Sequence, residues 1–392
     1  MKNRIEQLDS FRGLGALSVL ISHAIPLLAI PIAADKLLKA TGVLNGHGFL
    51  MLFFVLSGFV LSLPFLKKDQ INYTSYLIRR LCRIYVPYII AITFAIILSQ
   101  IFLSYKIGSV SGYIDSQWKT ILSGKLIMEH IYFIGNIHAD SFNGVIWTLI
   151  HELRIALIFP FVVLIIKRID WKVSVLICIA LTSVKALDIV FHLEKSNGFH
   201  ISYIDTLSYL SLFIMGVLLA KHRTEAIGFF QKLKRINKII FLLISILLFN
   251  FSGLAIFDLY ELTKISAFTK FALIMQEYGM GIGAIGFFII AIGSSKAENV
   301  LMFKPINFVG KISFSLYLYH PLVLLSCIHL FYYTLPFWSI FIITIVFSIL
   351  VGYITWKFIE VPSMRLGKTI ANRVSTIQGS KIKPQQMMTK NQ

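Results

Sequence analysis

The chain has 392 residues, of which 57% are hydrophobic and 14% charged, with a mean hydropathy of +0.79. Soluble domains run at about 45–50% apolar and about 25% charged. The apolar residues come in blocks of about twenty and there are only three cysteines, which excludes a soluble globular enzyme, a disordered chain and a disulfide-stapled secreted module. An all-α, polytopic integral membrane protein remains, and its net charge of +19 has to be read from where the charges fall.

Apolar spans lie near 11–31, 48–66, 84–104, 144–166, 172–191, 206–221, 238–257, 277–293, 311–333 and 336–359, predicting ten transmembrane helices. With the N-terminus in the cytoplasm, 27 of the 37 Lys and Arg residues fall on that side and 8 on the other, while Arg154 and Lys185 lie within spans. By the positive-inside rule both termini are cytoplasmic. The basic balance is thereby a topology signal and a surface for anionic lipid, and nucleic acid is not a partner. Lys2, Arg4 and the small pair Ala33-Ala34 imitate a secretory leader, but Glu6, Asp9 and Arg12 interrupt it and the apolar run is too long, so the first helix reads as uncleaved.

Cys82, Cys178 and Cys327 read as small packing residues, and no spacing of metal ligands is present. The segment 105–143, too short for a catalytic domain, is apolar enough around Leu126–Ile134 to lie on the interface or dip into the bundle. Segment 222–238 reads as an interfacial amphipathic helix. The chain divides into a membrane domain, 1–365, and a polar, basic cytoplasmic tail, 366–392, expected to be disordered.

Each ionisable group in a bilayer costs about 2.5–3.5 kcal/mol on insertion scales and invites a functional reading. Arg12 and His23 are eleven residues apart, close to three turns, which sets them on one face with His23 ~16 Å along the helix, near mid-membrane. The start of the third span carries Arg79, Arg80 and Arg83, a spacing that pairs guanidinium groups able to grip phosphate, although positive-inside anchoring accounts for such a cluster equally well. Ser57-Gly58 in the second span marks close helix packing. In the fourth span Glu152 and Arg154 stand two apart and point to different sides, so each needs another partner or a water-filled cavity. Lys185 and Asp188 read as a local pair. In the ninth span His320 sits near mid-membrane, where Pro321 frees a backbone carbonyl.

These pieces together resemble the membrane acyltransferase-3 family, the ten-helix O-acyltransferases that modify extracytoplasmic carbohydrates. The resemblance runs through Leu8-Asp9-Ser10-Phe11-Arg12-Gly13 with His23, Phe53 to Phe59, Arg79 to Tyr88, Trp147-Thr148-Leu149 with Glu152 and Pro160, Gly310 to His320, and Phe358-Ile359-Glu360-Val361-Pro362. It implies that Arg12 and His23 are the signature pair of the first helix and that Arg80 and Arg83, with Arg79 beside them, meet an acyl-CoA donor. The family often has Phe-Tyr three residues after the Glu of the fourth helix, where this chain has Ile155-Ala156. Some relatives carry an additional periplasmic esterase-like domain, where this chain ends in a short tail.

What the resemblance implies is a multi-pass protein of the bacterial cytoplasmic membrane that moves an acyl group, acetyl first of all, to an extracytoplasmic or lipid-linked carbohydrate hydroxyl. No cofactor is permanently bound, and acetyl-CoA or another acyl-CoA is a donor substrate. His23 is the expected general base, since imidazole titrates near neutrality, or else the site of an acyl-histidine intermediate. Glu152 orients the acceptor or fixes a histidine tautomer, His320 serves the oxyanion or packs, and Arg12 holds the donor or the helix end. The competing class is a transporter of a small solute or a lipid-linked sugar through a cavity lined by the same groups, for which the paired broken helices of an internal repeat are not seen.

Overall fold

The computed structural model describes residues 6–28, 44–67, 72–105 and 107–388. Lys2, Arg4 and Ala33-Ala34, on which a leader would be judged, lie outside the described residues. The fold is all-α: the described residues contain no strand, and ten of their helices are long and apolar enough to cross a membrane.

The ten spans fall where the apolar blocks fall, within a few residues at most ends. They are α1 (Glu6–Ala24, with a 3-10 turn to Leu28), α2 (Gly46–Lys67) and α3 (Tyr73–Phe102). Two short helices, α4 (Gly112–Ser116) and α5 (Gly124–Tyr132), precede α6 (Trp147–Arg168), α7 (Trp171–Phe191) and α8 (Tyr203–Lys221). After α9 (Arg223–Lys232), the segment read as interfacial, come α10 (Arg235–Thr263), α11 (Ser266–Lys270), α12 (Ala272–Gly293) and α13 (Ser295–Leu301). The chain ends with α14 (Lys304–Phe331), α15 (Phe337–Thr355), a π-helical turn Trp356–Glu360, and α16 (Val361–Met388).

Two helices start well before their apolar blocks. In α3 the Asn72 side chain caps the helix by accepting from the Ser75 N–H, and in α14 a proline stands in the first turn. Hydropathy locates the bilayer and cannot register a helix that continues past it. The first part of the tail, to Thr376, continues the helix of α16 because the extended start of α3 gives it a surface to dock on. Ser75 Oγ donates to the Ala371 carbonyl (2.9 Å) and meets Ser375 Oγ (2.6 Å), Arg79 donates to Asn372 Oδ1 (3.0 Å), and Ser363 donates to the Cys82 carbonyl.

Glycines bring the central helices into backbone contact. A Cβ on Gly13 of α1 would fall on the Gly310 backbone of α14, and Cβ atoms on Gly58 of α2 and Gly216 of α8 would fall on the Phe213 and Val55 carbonyls. Without a hydrophobic drive between helices in lipid, such close approach supplies the packing, as read for Gly58, whereas Ser57 beside it faces the cavity described below. We call the end of the bundle where α1 begins the basic end and the opposite end the far end. From the far end α5 runs back along α3, from the level of Gln100 to that of Tyr85 and Tyr88, with Leu126 and His130 buried and Ile127, Met128 and Ile131 outward. Tyr88 Oη meets His130 Nδ1 (2.9 Å), and burial pushes the His130 imidazole down to about 4.

Candidate active site

Helices α1, α2, α3, α6 and α14, with the π turn, enclose a cavity of about 1230 Å³ that enters from the basic end. Six basic side chains line it (Arg12, Lys67, Arg80, Arg83, Arg223, Lys311) against three acidic ones (Asp9, Glu152, Glu360). Arg12 donates to Asp9 Oδ1 at 2.9 Å. Arg80 lies 3.8 Å from Glu152 Oε1, beyond hydrogen-bond range, and among the described residues Arg83 reaches only the Met364 sulfur at 3.5 Å. Glu360 is turned inward by the π turn and accepts from Ser315 Oγ at 2.7 Å. The result is a partly desolvated cationic chamber whose guanidinium donors are not used up by protein acceptors, the electrostatic form of a polyanion site. Arg79 does not share it: it is exposed and turned to Asn372 on α16.

The cavity stops at a layer formed by Phe53, Thr148 and Tyr317. Tyr317 Oη donates to the Val145 carbonyl (2.8 Å) and lies 2.9 Å from Thr148 Oγ1. Directly behind this layer stand His23 and His320, neither of which borders the cavity. His23 falls in the last turn of α1, just before the 3-10 turn to Leu28, at the level of His320 in the middle of α14. Its Nδ1 is 3.1 Å from His320 Nε2, and its ring is stacked on Tyr113 of α4 with centroids 4.3 Å apart.

The hydrogen bonds fix how this pair carries its protons. His320 Nδ1 faces two acceptors, the Tyr317 carbonyl at 2.7 Å and the Leu316 carbonyl at 3.3 Å, so in the neutral ring Nδ1 bears the hydrogen. Tyr317 is four residues before Pro321, which has no N–H to offer; the freed carbonyl predicted from the sequence is the one the imidazole takes. His320 Nε2 is then an acceptor, His23 Nδ1–H is its donor, and the lone pair of His23 is left on Nε2. An imidazole oriented in this way is suited to accept a proton from a hydroxyl. Glu152 plays no part in setting this tautomer, since its partner is Arg80 and the backbone of α14 does the work.

The remaining polar spans are structural. Arg154 gives its donors to the carbonyls of Ile134 (2.8 Å), Gly135 (2.7 Å), Ile201 (2.9 Å) and Ser202 (3.1 Å) and to Thr206 Oγ1 (2.8 Å), pinning two far-end loops to α6. It does not pair with Glu152, as their spacing predicted. His151 is held between Thr206 Oγ1 (2.9 Å) and the His200 carbonyl (2.6 Å). Lys185 makes the expected contact with Asp188 (3.5 Å) and a closer one with Asp205 (2.6 Å). Asp205 escaped the sequence reading because it lies one residue before its apolar block, where counting acidic residues one turn beyond each block would have found it, and Glu277 was passed over at the first position of its own block.

A family model described as an acyltransferase domain matches residues 5–357. The chain is similar to O-acetyltransferase OatA of Staphylococcus aureus, with 24% identity over 386 residues in each of the strains NCTC 8325 / PS 47, COL and MRSA252. Those alignments take in 92% of this chain, and the chain spans 57% of the length of these relatives. No solved structure matches the chain.

Proposed function

Because the chain belongs to the acyltransferase-3 family, we propose that it is a membrane O-acyltransferase that carries an acyl group, acetyl by preference, from acyl-CoA in the cationic cavity to a carbohydrate hydroxyl at the far end. The observation that carries this reading is the pairing of His23 with His320, which leaves an unprotonated Nε2 immediately behind the closed end of that cavity. The basic end is the cytoplasmic one in this reading, following the distribution of Lys and Arg along the chain. The membrane is the bacterial cytoplasmic membrane.

The phosphates of the donor lie against Arg80, Arg83 and Arg12, and the pantetheine arm points the thioester at the Phe53, Thr148 and Tyr317 layer. His23 Nε2 takes the proton of the acceptor hydroxyl as its oxygen bonds to the thioester carbonyl carbon. The C–S bond breaks, and the imidazolium returns the proton to the departing thiolate, so that ester and free CoA leave. Acetyl as the group transferred is supported by the name O-acetyltransferase that the relatives carry. The chemistry uses no bound cofactor.

Membranes containing the chain or its His23→Ala variant, incubated with radiolabelled acetyl-CoA and a cell-envelope carbohydrate fraction, test the reading. Alkali-labile label on the carbohydrate that depends on His23 is the expected result. Absence of label in folded protein overturns it and turns attention to transport through the same cavity.

A further inference from the structure

Helix α2 lines the cavity along its whole depth. Lys67, Pro64, Val60, Ser57 and Phe53 recur every three or four residues and so share one face, and all five border the cavity. Exposure on that face falls from the mouth inward: Lys67 and Pro64 are exposed, Val60, Ser57 and Phe53 half-buried, and Leu50, the next in the series, only 8% exposed. The open face therefore ends at Phe53, fourteen residues from Lys67, or ~21 Å along the helix. A cleft that is charged at its mouth and apolar at its floor fits a long arm with its anionic end outside and its reactive end inside.

That floor is built not to yield. The Phe53 ring lies on the backbone of α1 at Gly15, where an added Cβ would stand 2.6 Å from its Cζ and 2.8 Å from its Cε1. Tyr317 meets the ring edge-on, with centroids 6.4 Å apart, and the Tyr317 hydroxyl is tied to the Val145 carbonyl. A ring set between a helix backbone and a tethered phenol cannot retreat from the cavity without unpacking one of them, and close-packed interiors resist even a methylene of added volume.

We propose that Phe53 is the end stop of an acyl pocket at this floor and that it sets a steep preference for the shortest acyl group, acetyl over propionyl over butyryl. This rests on the acyl-transfer reading and names which donors that reaction takes. With the thioester carbonyl beside the Thr148 and Tyr317 hydroxyls, which border the floor 2.9 Å apart, the alkyl end is directed at the Phe53 ring. Each methylene added there has to displace packed atoms, and one methylene in an apolar pocket is worth about 10–200-fold in discrimination. Phe53 is a specificity-determining residue; it takes no part in moving the proton or in breaking the C–S bond.

The test titrates the full chain in detergent with acetyl-CoA and with butyryl-CoA, reading affinity from the rise in melting temperature. It then compares the two labelled donors in membranes, with de-O-acylated cell-envelope carbohydrate as acceptor. Both experiments read a ratio between donors on one preparation, so a variant that folds in lower yield is still scored. The unsubstituted chain is expected to transfer from butyryl-CoA about a hundredfold less well than from acetyl-CoA and to bind it tenfold or more less tightly. Phe53→Ala should raise the butyryl-to-acetyl ratio tenfold or more. Phe53→Leu, which keeps more of the packing on Gly15, should raise it by a smaller factor. Gly15→Ala, whose Cβ drives the ring off α1 toward the cavity, should act in the opposite sense and lower the use of propionyl-CoA relative to acetyl-CoA. The end stop is overturned if the unsubstituted chain binds and uses acetyl-CoA and butyryl-CoA within threefold of each other, or if both Phe53 variants leave the ratio within twofold of the unsubstituted value. A binding preference that Phe53 sets, in a chain that labels no carbohydrate, sustains the pocket and defeats the acyl-transfer reading instead; a chain that binds neither donor defeats both.

Discussion

Arg154 and the Arg80–Arg83 pair are cations in the same bundle with opposite surroundings. Arg154 meets five protein acceptors within hydrogen-bond distance. Among the described residues Arg80 has its nearest carboxylate at 3.8 Å and Arg83 has only a methionine sulfur. An arginine in a bilayer has to recover its insertion cost. Arg154 recovers it within the fold and becomes a staple, whereas Arg80 and Arg83 retain capacity for an anion from outside. The number of donors left over, more than burial or depth, separates a structural arginine from a ligand-binding one.

The comparison can be broken by substitution, and the largest effect is expected at His23, behind the closed end of the cavity that Arg80 and Arg83 line. His23→Ala should lower transfer by about 10²–10⁴-fold, the usual contribution of a general base, with melting temperature and membrane insertion unchanged. A parallel loss of stability would make His23 a packing residue. Arg154→Met should act the other way round. It strands four carbonyls and a hydroxyl and should destabilise the chain by about 3–5 kcal/mol, read as a lower melting temperature, while the protein that does fold keeps its KM for acetyl-CoA. Arg80→Ala and Arg83→Ala should each raise that KM tenfold or more, about 1.4 kcal/mol or above, with the difference shrinking at high salt. Their melting temperatures should hold or rise, since each substitution removes a partly buried cation that makes no hydrogen bond to a carboxylate among the described residues. If Arg80→Ala melts early with an unchanged KM, the distinction between the two kinds of arginine fails.

The ten spans and the Arg12, Arg80, Arg83 and His23 set were legible because each signal is local: an apolar block, a charge inside it, a spacing along one helix. The rest depends on contacts between distant segments. Arg79 and Arg80 are equivalent in the sequence, and only the docking of α16 on α3 separates them, by occupying Arg79 with Asn372. Glu152 was a candidate for setting a histidine tautomer because it is the acid of the fourth span; the fold places it across the cavity with Arg80. Tyr113 was passed over because it lies outside every apolar block, in a segment whose entry into the bundle has no periodicity to announce it. The orientation of the His23 and His320 pair was half legible, since Pro321 marks a carbonyl without a helical donor but not which side chain claims it.

That last point yields the smallest and most pointed prediction. Pro321→Ala returns an N–H to the α14 backbone, and the Tyr317 carbonyl regains the helical donor that the proline denies it. The helix should gain stability, since a proline within a helix costs about 3 kcal/mol relative to alanine, unless the surrounding bundle has adapted to it. A carbonyl has two lone pairs, so the His320 Nδ1–H is not evicted; it shares its acceptor. The bond at 2.7 Å should weaken, the tautomer of His320 should be held less firmly, and His23 should present its free Nε2 for a smaller fraction of the time. Transfer should fall about three- to tenfold, within about 1.4 kcal/mol, with both KM values unchanged and the melting temperature raised. A variant that is more stable and equally active would mean that the proline serves only the shape of the helix and that the order of protons along the pair is set elsewhere.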